Sequence, residues 1–128
     1  MTVTLHKGDL PEGLSFGASV AVDTETMGLN PARDPLCVVQ LSAGDGNAHL
    51  VQLNRATYDA PRLRAVMADP AILKIFHFAR FDVAMLQRYL GVVTAPVYCT
   101  KIASRLVRTY TDRHGLKELA RELVNVDM

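Results

Sequence analysis

The stretch Val20–Pro31, VAVDTETMGLNP, decides how the rest of the chain is read. An apolar run from Ala18 to Val22 ends in Asp23, Glu25 follows two residues later, and Gly28-Leu29 comes right behind. A near-continuous apolar run reads as a central strand. Residues two apart on a strand point to the same face, so Asp23 and Glu25 share one. Two carboxylates a few ångströms apart repel unless one is protonated or a cation sits between them. Hard divalent cations take oxygen ligands of this kind. Taken alone, the pair also fits a strand end with two solvated acids.

Working outward, TVTLHKGDL near the N-terminus alternates apolar and polar residues and suits a short edge strand. Gly28–Pro35 is a turn, LCVVQLSA (Leu36–Ala43) a second strand, Gly44–Asn47 a tight hairpin signal, and AHLVQL its returning strand. These give an antiparallel meander of three strands. The period then changes. DAPRLRAVMAD predicts a helix with Asp59 as a cap, Pro61 in the first turn and Leu63, Val66 and Met67 at helical spacing. AILKIFHF predicts a strand from Ala71 to Phe76. RFDVAMLQRYLG predicts a helix with Phe81, Met85 (or Ala84) and Tyr89 on one stripe and Gly91 as the stop. APVYCT is a short strand, Thr100 a cap for the helix KIASRLV, and TDRHGLKELARELV a last helix burying Leu116, Leu119, Ala120 and Leu123. Three antiparallel strands followed by β-α-β-α make an α/β mixed sheet flanked by helices.

Length and composition fit that picture. The 128 residues suffice for one domain with a real core, and 49% hydrophobic with 21% charged residues is ordinary for a folded soluble protein. No apolar stretch approaches the ~20 residues of a membrane span, so no membrane partner is expected. MTVTLHKGDLPEG lacks the apolar core of a signal peptide, which makes the cytoplasm the expected location. Cys37 and Cys99 are not at a metal-ligand spacing and read as buried, reduced thiols. A net charge of +1 points to neither nucleic acid nor membrane. Locally, however, Lys101, Arg105, Arg108 and Arg113 face only Asp112, a stretch able to meet phosphate or to form a solvated helix face.

Asp82 is a third acid of interest. It opens a helix that follows a strand, where the helix N-terminus favours its charge and where α/β proteins commonly place functional residues. In isolation it also reads as an ordinary first-turn acid. The two local contexts together, VDTETMGL and HFARFDVAML, change the weight of both. They resemble the first and second motifs of the DEDD superfamily of 3′-5′ exonucleases, on the ribonuclease D branch. ASRLV and HGLKEL resemble the same branch. LCVVQLSAGDG, KIFHFARFD and CTKIASRLVRTYTDRHGLKEL resemble its nanoRNase C group, short-RNA exonucleases of alphaproteobacteria.

The resemblance implies a single 3′-5′ exonuclease domain over residues 1–128, ribonuclease H-like in fold. It implies a metal-dependent exoribonuclease that hydrolyses short single-stranded RNA, especially dinucleotides, with two divalent ions, Mg2+ or Mn2+. By the same resemblance Asp23, Glu25 and Asp82 are the metal ligands and catalytic acids, with Asp23 bridging both ions, and Leu29 is a wedge between the last two bases. An apolar wedge is physically sensible because it stacks on any base; the alternative is a turn leucine tucked into the core. Thr26 is a contact to the 3′ end or a local turn hydrogen bond. His77 lines the substrate pocket or is a satisfied strand-end histidine, and Phe81 is core or a stacking platform. Lys101, Ser104, Arg108, Arg113 and His114 are candidates for a 5′ phosphate, with a solvated face as the rival. A ring-shaped homo-oligomer is implied for the full-length protein.

The family's third motif, Tyr-x-x-x-Asp or His-x-x-x-x-Asp, has no match here. Tyr110 is followed four on by His114, Tyr98 by Ile102, and His114 five on by Leu119; Asp127 has Leu123 and Glu122 at the required offsets. The expectation is a C-terminally truncated exonuclease domain with little or no nuclease activity by itself. Two rival readings stand beside the dinucleotide enzyme: ribonuclease D-like trimming of RNA 3′ ends, and a non-catalytic nucleic-acid-binding or assembly module.

Overall fold

The computed structural model of the chain describes residues 1–128. Ten elements follow one another: β1 (Thr2–Lys7), β2 (Ser19–Thr26), β3 (Leu36–Ser42), β4 (Asn47–Gln52), α1 (Pro61–Ala68), β5 (Leu73–Phe76), α2 (Ala79–Leu90), β6 (Val97–Cys99), α3 (Thr100–Val107) and α4 (Leu116–Val124). The six strands form one sheet in the order β1-β4-β3-β2-β5-β6. β2, β3 and β4 are the expected antiparallel meander, with Asp23 opposite Gln40 and Gln40 opposite Leu50. β5 and β6 add to β2 in parallel, as a helical crossover requires. β1 is the expected edge strand, but it pairs with β4, in parallel.

β2 is the central strand that the apolar run predicts, and its two faces differ: Val20, Val22 and Thr24 are buried, and Ala21, Asp23 and Glu25 are exposed. Only one face of the sheet is closed. There Val20, Val22, Val39, Leu41, Val51 and Phe76 join Leu63 and Met67 of α1 and Met85, Leu86 and Leu90 of α2 in one cluster. Lys74 of β5 is fully buried on that strand and satisfied: its Nζ donates to the carbonyls of Asp69 and Ala95, each at 2.7 Å.

Helix ends supply the other corrections. Asp59 does not cap α1; it pairs with Arg64 at 3.6 Å. The cap is tertiary. Asp9 takes the backbone N–H groups of Arg62 and Leu63, both at 2.9 Å, and so pins the loop after β1 to α1. Thr100 does not cap α3 either, since its hydroxyl donates to the carbonyl of Phe76 at 3.1 Å. The strand expected from Ala71 begins at Leu73, because Asp69 folds the preceding residues into a turn through its contact with the Ala71 amide. Gly91 ends α2 as expected, at φ 64. The buried stripe of α2 runs through Ala79, Asp82, Met85, Leu86 and Leu90, with Phe81 and Tyr89 packed at its edge.

In α4 only Leu119 is buried; Leu116 and Leu123 are exposed, as are Ile102 and Leu106 of α3. The periodicity that predicts a buried side is present, but only Leu119, and in part Ala120, is covered. Cys37 and Cys99 are free and half-buried rather than fully buried. No helix is long and apolar enough to cross a membrane.

Candidate functional site

Asp23 and Glu25 stand on the open face of β2, side by side as the spacing requires. The register with β3 shifts between Glu25 and Thr26, a bulge that ends the regular ladder where the acids are presented. Gln40 of β3 donates its amide to Glu25 Oε1 at 2.9 Å, fixing that carboxylate across the strands. Asp82 reaches the same region from the first turn of α2. It is buried, and the hydroxyl of Thr24, which points to the opposite face from Asp23 and Glu25, donates to its Oδ1.

The electrostatics tie the three together. The Asp82 carboxyl is pushed up to about 6, first by burial and then by the charges of Asp23 and Glu25, while the Thr24 hydroxyl opposes the shift. The charges of Asp23 and Glu25 bear on Asp82, none of the three is paired with a protein cation, and carboxylate oxygens of this kind are what a hard divalent cation takes. As the side chains stand, no three His, Cys, Asp or Glu groups converge on one point. A cleft of about 420 Å³ lies beside Asp23, bordered by Ala21, Gln40, His77, Thr100 and Leu116.

The remaining expected residues separate. Leu29 is 82% exposed on the Met27–Pro35 loop, which rules out a leucine tucked into the core. The Thr26 hydroxyl donates locally to the carbonyl of Gly28. Phe81 is half-buried against the core. His77 lines the cleft and also satisfies itself: its Nδ1 lies 2.9 Å from Thr100 Oγ1, whose own proton is directed to Phe76, so Nδ1–H is the donor. Burial and the charge of Lys101 hold the His77 imidazole below its ordinary range, against a hydrogen bond to the backbone of His114.

The basic stretch does not form one free face. Arg108 is buried; it donates to Glu122 at 2.7 Å, Ser104 Oγ at 2.9 Å and the carbonyl of Arg113 at 2.7 Å. Ser104 is buried too and meets His114 Nδ1 at 2.7 Å. Arg108 and Ser104 therefore tie α3 to α4, while Arg113 stays exposed and Lys101 lies over the ring of Phe78, 4.6 Å from its centre. Sequence reasoning missed Phe78, Thr24 and Gln40. Phe78 is 46% exposed and left-handed at φ 67, a strained position for a bulky residue, at the junction between β5 and α2. Its neighbour Asp82 was the available signal. Thr24 and Gln40 become visible only once the faces and register are known.

A mixed sheet whose central strand carries two acids, with a third supplied by the helix after the next parallel strand, places this protein among the carboxylate-dependent 3′-5′ exonucleases. A 3′-5′ exonuclease family model matches residues 9–128, and the chain belongs to that DEDD family. It is similar to Brucella melitensis NrnC with bound Mg2+, at a TM-score of 0.97 and 53% identity over 100% of this chain and 64% of that one. The same protein bound to pGG matches at a TM-score of 0.96 and 53% identity, covering 63% of that chain. Among curated relatives, ribonuclease D of Acidiphilium cryptum is 34% identical over 104 residues, 81% of this chain and 26% of the relative. The chain thus spans about a quarter of the ribonuclease D it matches and under two thirds of NrnC.

Proposed function

We propose that this domain belongs to a metal-dependent exoribonuclease that cuts short RNA from the 3′ end, with dinucleotides as its favoured substrate. What carries the reading is the trio Asp23, Glu25 and Asp82, held on the open face and at the start of α2 in a chain 53% identical to NrnC, for which a pGG-bound structure exists. Asp23, Glu25 and Asp82 would hold two divalent ions, Mg2+ or Mn2+. When bound, such ions supply an activated water and neutralise the charge developing on the phosphate.

The chain's own residues do the rest. Gln40 and Thr24 fix Glu25 and Asp82 in place. Leu29, unsupported by any core contact, is presented as an apolar wedge against the bases. His77 lines the cleft, Lys101 and the His114 backbone lie beside His77, and Arg113 is exposed; these four are the candidates for the 5′ phosphate. Arg108 and Ser104 enter this reading as the frame that holds His114 and the Arg113 carbonyl. Self-association into a ring remains part of the proposal.

The test is a binding titration of the chain with Mg2+ present, comparing pGG with a 20-nucleotide RNA. Tighter binding of pGG is expected. Equal or tighter binding of the long RNA favours ribonuclease D-like trimming, the reading that the Acidiphilium relative supports.

A further inference from the structure

Leu29 has no side-chain support, yet both of its neighbours rest on one carboxylate. Asp34, at the far end of the same loop, is only 8% exposed. Its Oδ2 accepts the backbone N–H of Asn30 at 2.9 Å. The same oxygen lies so close to Gly28 that a Cβ there would stand 2.3 Å from it. The residue after Leu29 is therefore hydrogen-bonded to Asp34, and the residue before it packs against the same oxygen. The Asp34 amide returns to the Asn30 carbonyl at 2.7 Å and closes the turn. Arg33 grips the carboxylate from outside, Nε to Oδ1 at 2.9 Å and a terminal nitrogen to Oδ2 at 3.1 Å.

Other ties complete the frame. The Thr26 hydroxyl donates to the Gly28 carbonyl, and the Tyr89 hydroxyl donates to the carbonyl of Pro31 at 3.1 Å. The Arg33 amide also reaches the Asn30 carbonyl, the Ala32 amide reaches Asn30 Oδ1 and the Met27 amide reaches the Pro35 carbonyl, each at 3.0 Å. None of them touches both flanks of Leu29. An exposed leucine is useful as a wedge only if its backbone is already fixed, since ordering a mobile loop on binding consumes contact energy.

We infer that Asp34 is a positioning residue for substrate: it clamps the backbone on either side of Leu29 and so presents that side chain, without itself touching RNA. The inference rests on the reading of Leu29 as a base wedge. It also explains why position 28 is glycine. The requirement there is space for the Asp34 carboxylate rather than an unusual backbone conformation.

The experiment uses the 128-residue chain and two readouts. The first, without substrate, is the backbone order parameter of the Asn30 amide. Asp34→Ala should lower it from about 0.85 to below about 0.6, and Asp34→Asn, which keeps an oxygen for the amide, should restore it. The second is affinity for pGG with Mg2+ present. Asp34→Ala and Leu29→Ala should each weaken binding about tenfold, the loss of one stacked contact, and the double variant should be no weaker than Leu29→Ala alone. Gly28→Ala, which drives a methyl onto the carboxylate, should reproduce Asp34→Ala and serves if that variant folds poorly. An ordered Asn30 in both Asp34→Ala and Gly28→Ala overturns the proposal, as do losses that multiply in the double variant. Wild-type affinity in Leu29→Ala sinks the wedge reading itself and the Asp34 role with it. Weak binding in Leu29→Ala beside normal binding in Asp34→Ala and Gly28→Ala sinks the Asp34 role alone.

Discussion

The two faces of this sheet are built from the same strands and do opposite work. On one, Val20, Val22, Val39, Leu41 and Phe76 are sealed beneath α1 and α2. On the other, Ala21, Asp23 and Gln40 meet a cleft, and Glu25 stands exposed beside them with no packed helix layer above it. β2 belongs to both, one residue at a time. The closed face holds the backbone rigid, and that rigidity keeps two like charges adjacent on the open face, where a free chain would separate them. Asp82 is the link between the faces: a buried acid on a packed helix that feels the charges of both open-face acids.

That contrast can be broken by mutation. Leu86→Ala removes a fully buried side chain under the closed face and should cost about 2–5 kcal/mol in urea unfolding. Asp23→Asn, on the same sheet but the open face, should change stability by no more than about 0.5 kcal/mol. Comparable losses for the two would mean that the faces are not divided as described. A smaller effect tests how the closed face is tied down: Asp9→Ala leaves two amides of α1 without their acceptor and should cost about 1 kcal/mol.

The smallest expected effect lies at the open edge, where α3 and α4 are joined by Arg108 and Glu122. Hydrogen bonds from Arg108 and then Tyr110 hold the Glu122 carboxyl down at about 2, against an ordinary 4.5. The folded-state value is depressed, so the pair's contribution is fully present above about pH 4.5 and fades as pH falls toward about 2. Acid unfolding of Glu122→Gln should lose that part of its pH dependence; an unchanged profile would show that the pair does not hold the two helices.

Much of the architecture was legible because the apolar period announces it. The meander, the edge position of β1, and the Gly91 stop all follow from local pattern. Asp23 and Glu25 sharing a face follows from their spacing alone. What was not legible depends on distant partners. Asp9 caps a helix more than fifty residues away, so the nearer Asp59 looked like the cap. Arg108 reads as a free cation until Glu122, Ser104 and the Arg113 carbonyl are found around it. The buried side of α4 is narrower than its periodicity implies, because periodicity reports an apolar face without reporting what covers it. Asp34 and Gly28 look like ordinary turn residues, and their contact appears only in three dimensions.

The account turns on Asp23, Glu25 and Asp82 acting together as a divalent-ion site. Calorimetric titration of the chain with Mn2+, repeated on Asp23→Asn and Asp82→Asn, tests this most directly. Binding by the wild-type chain and its loss in both variants is the expected result. No binding by the wild-type chain, or equal binding by all three, would contradict it.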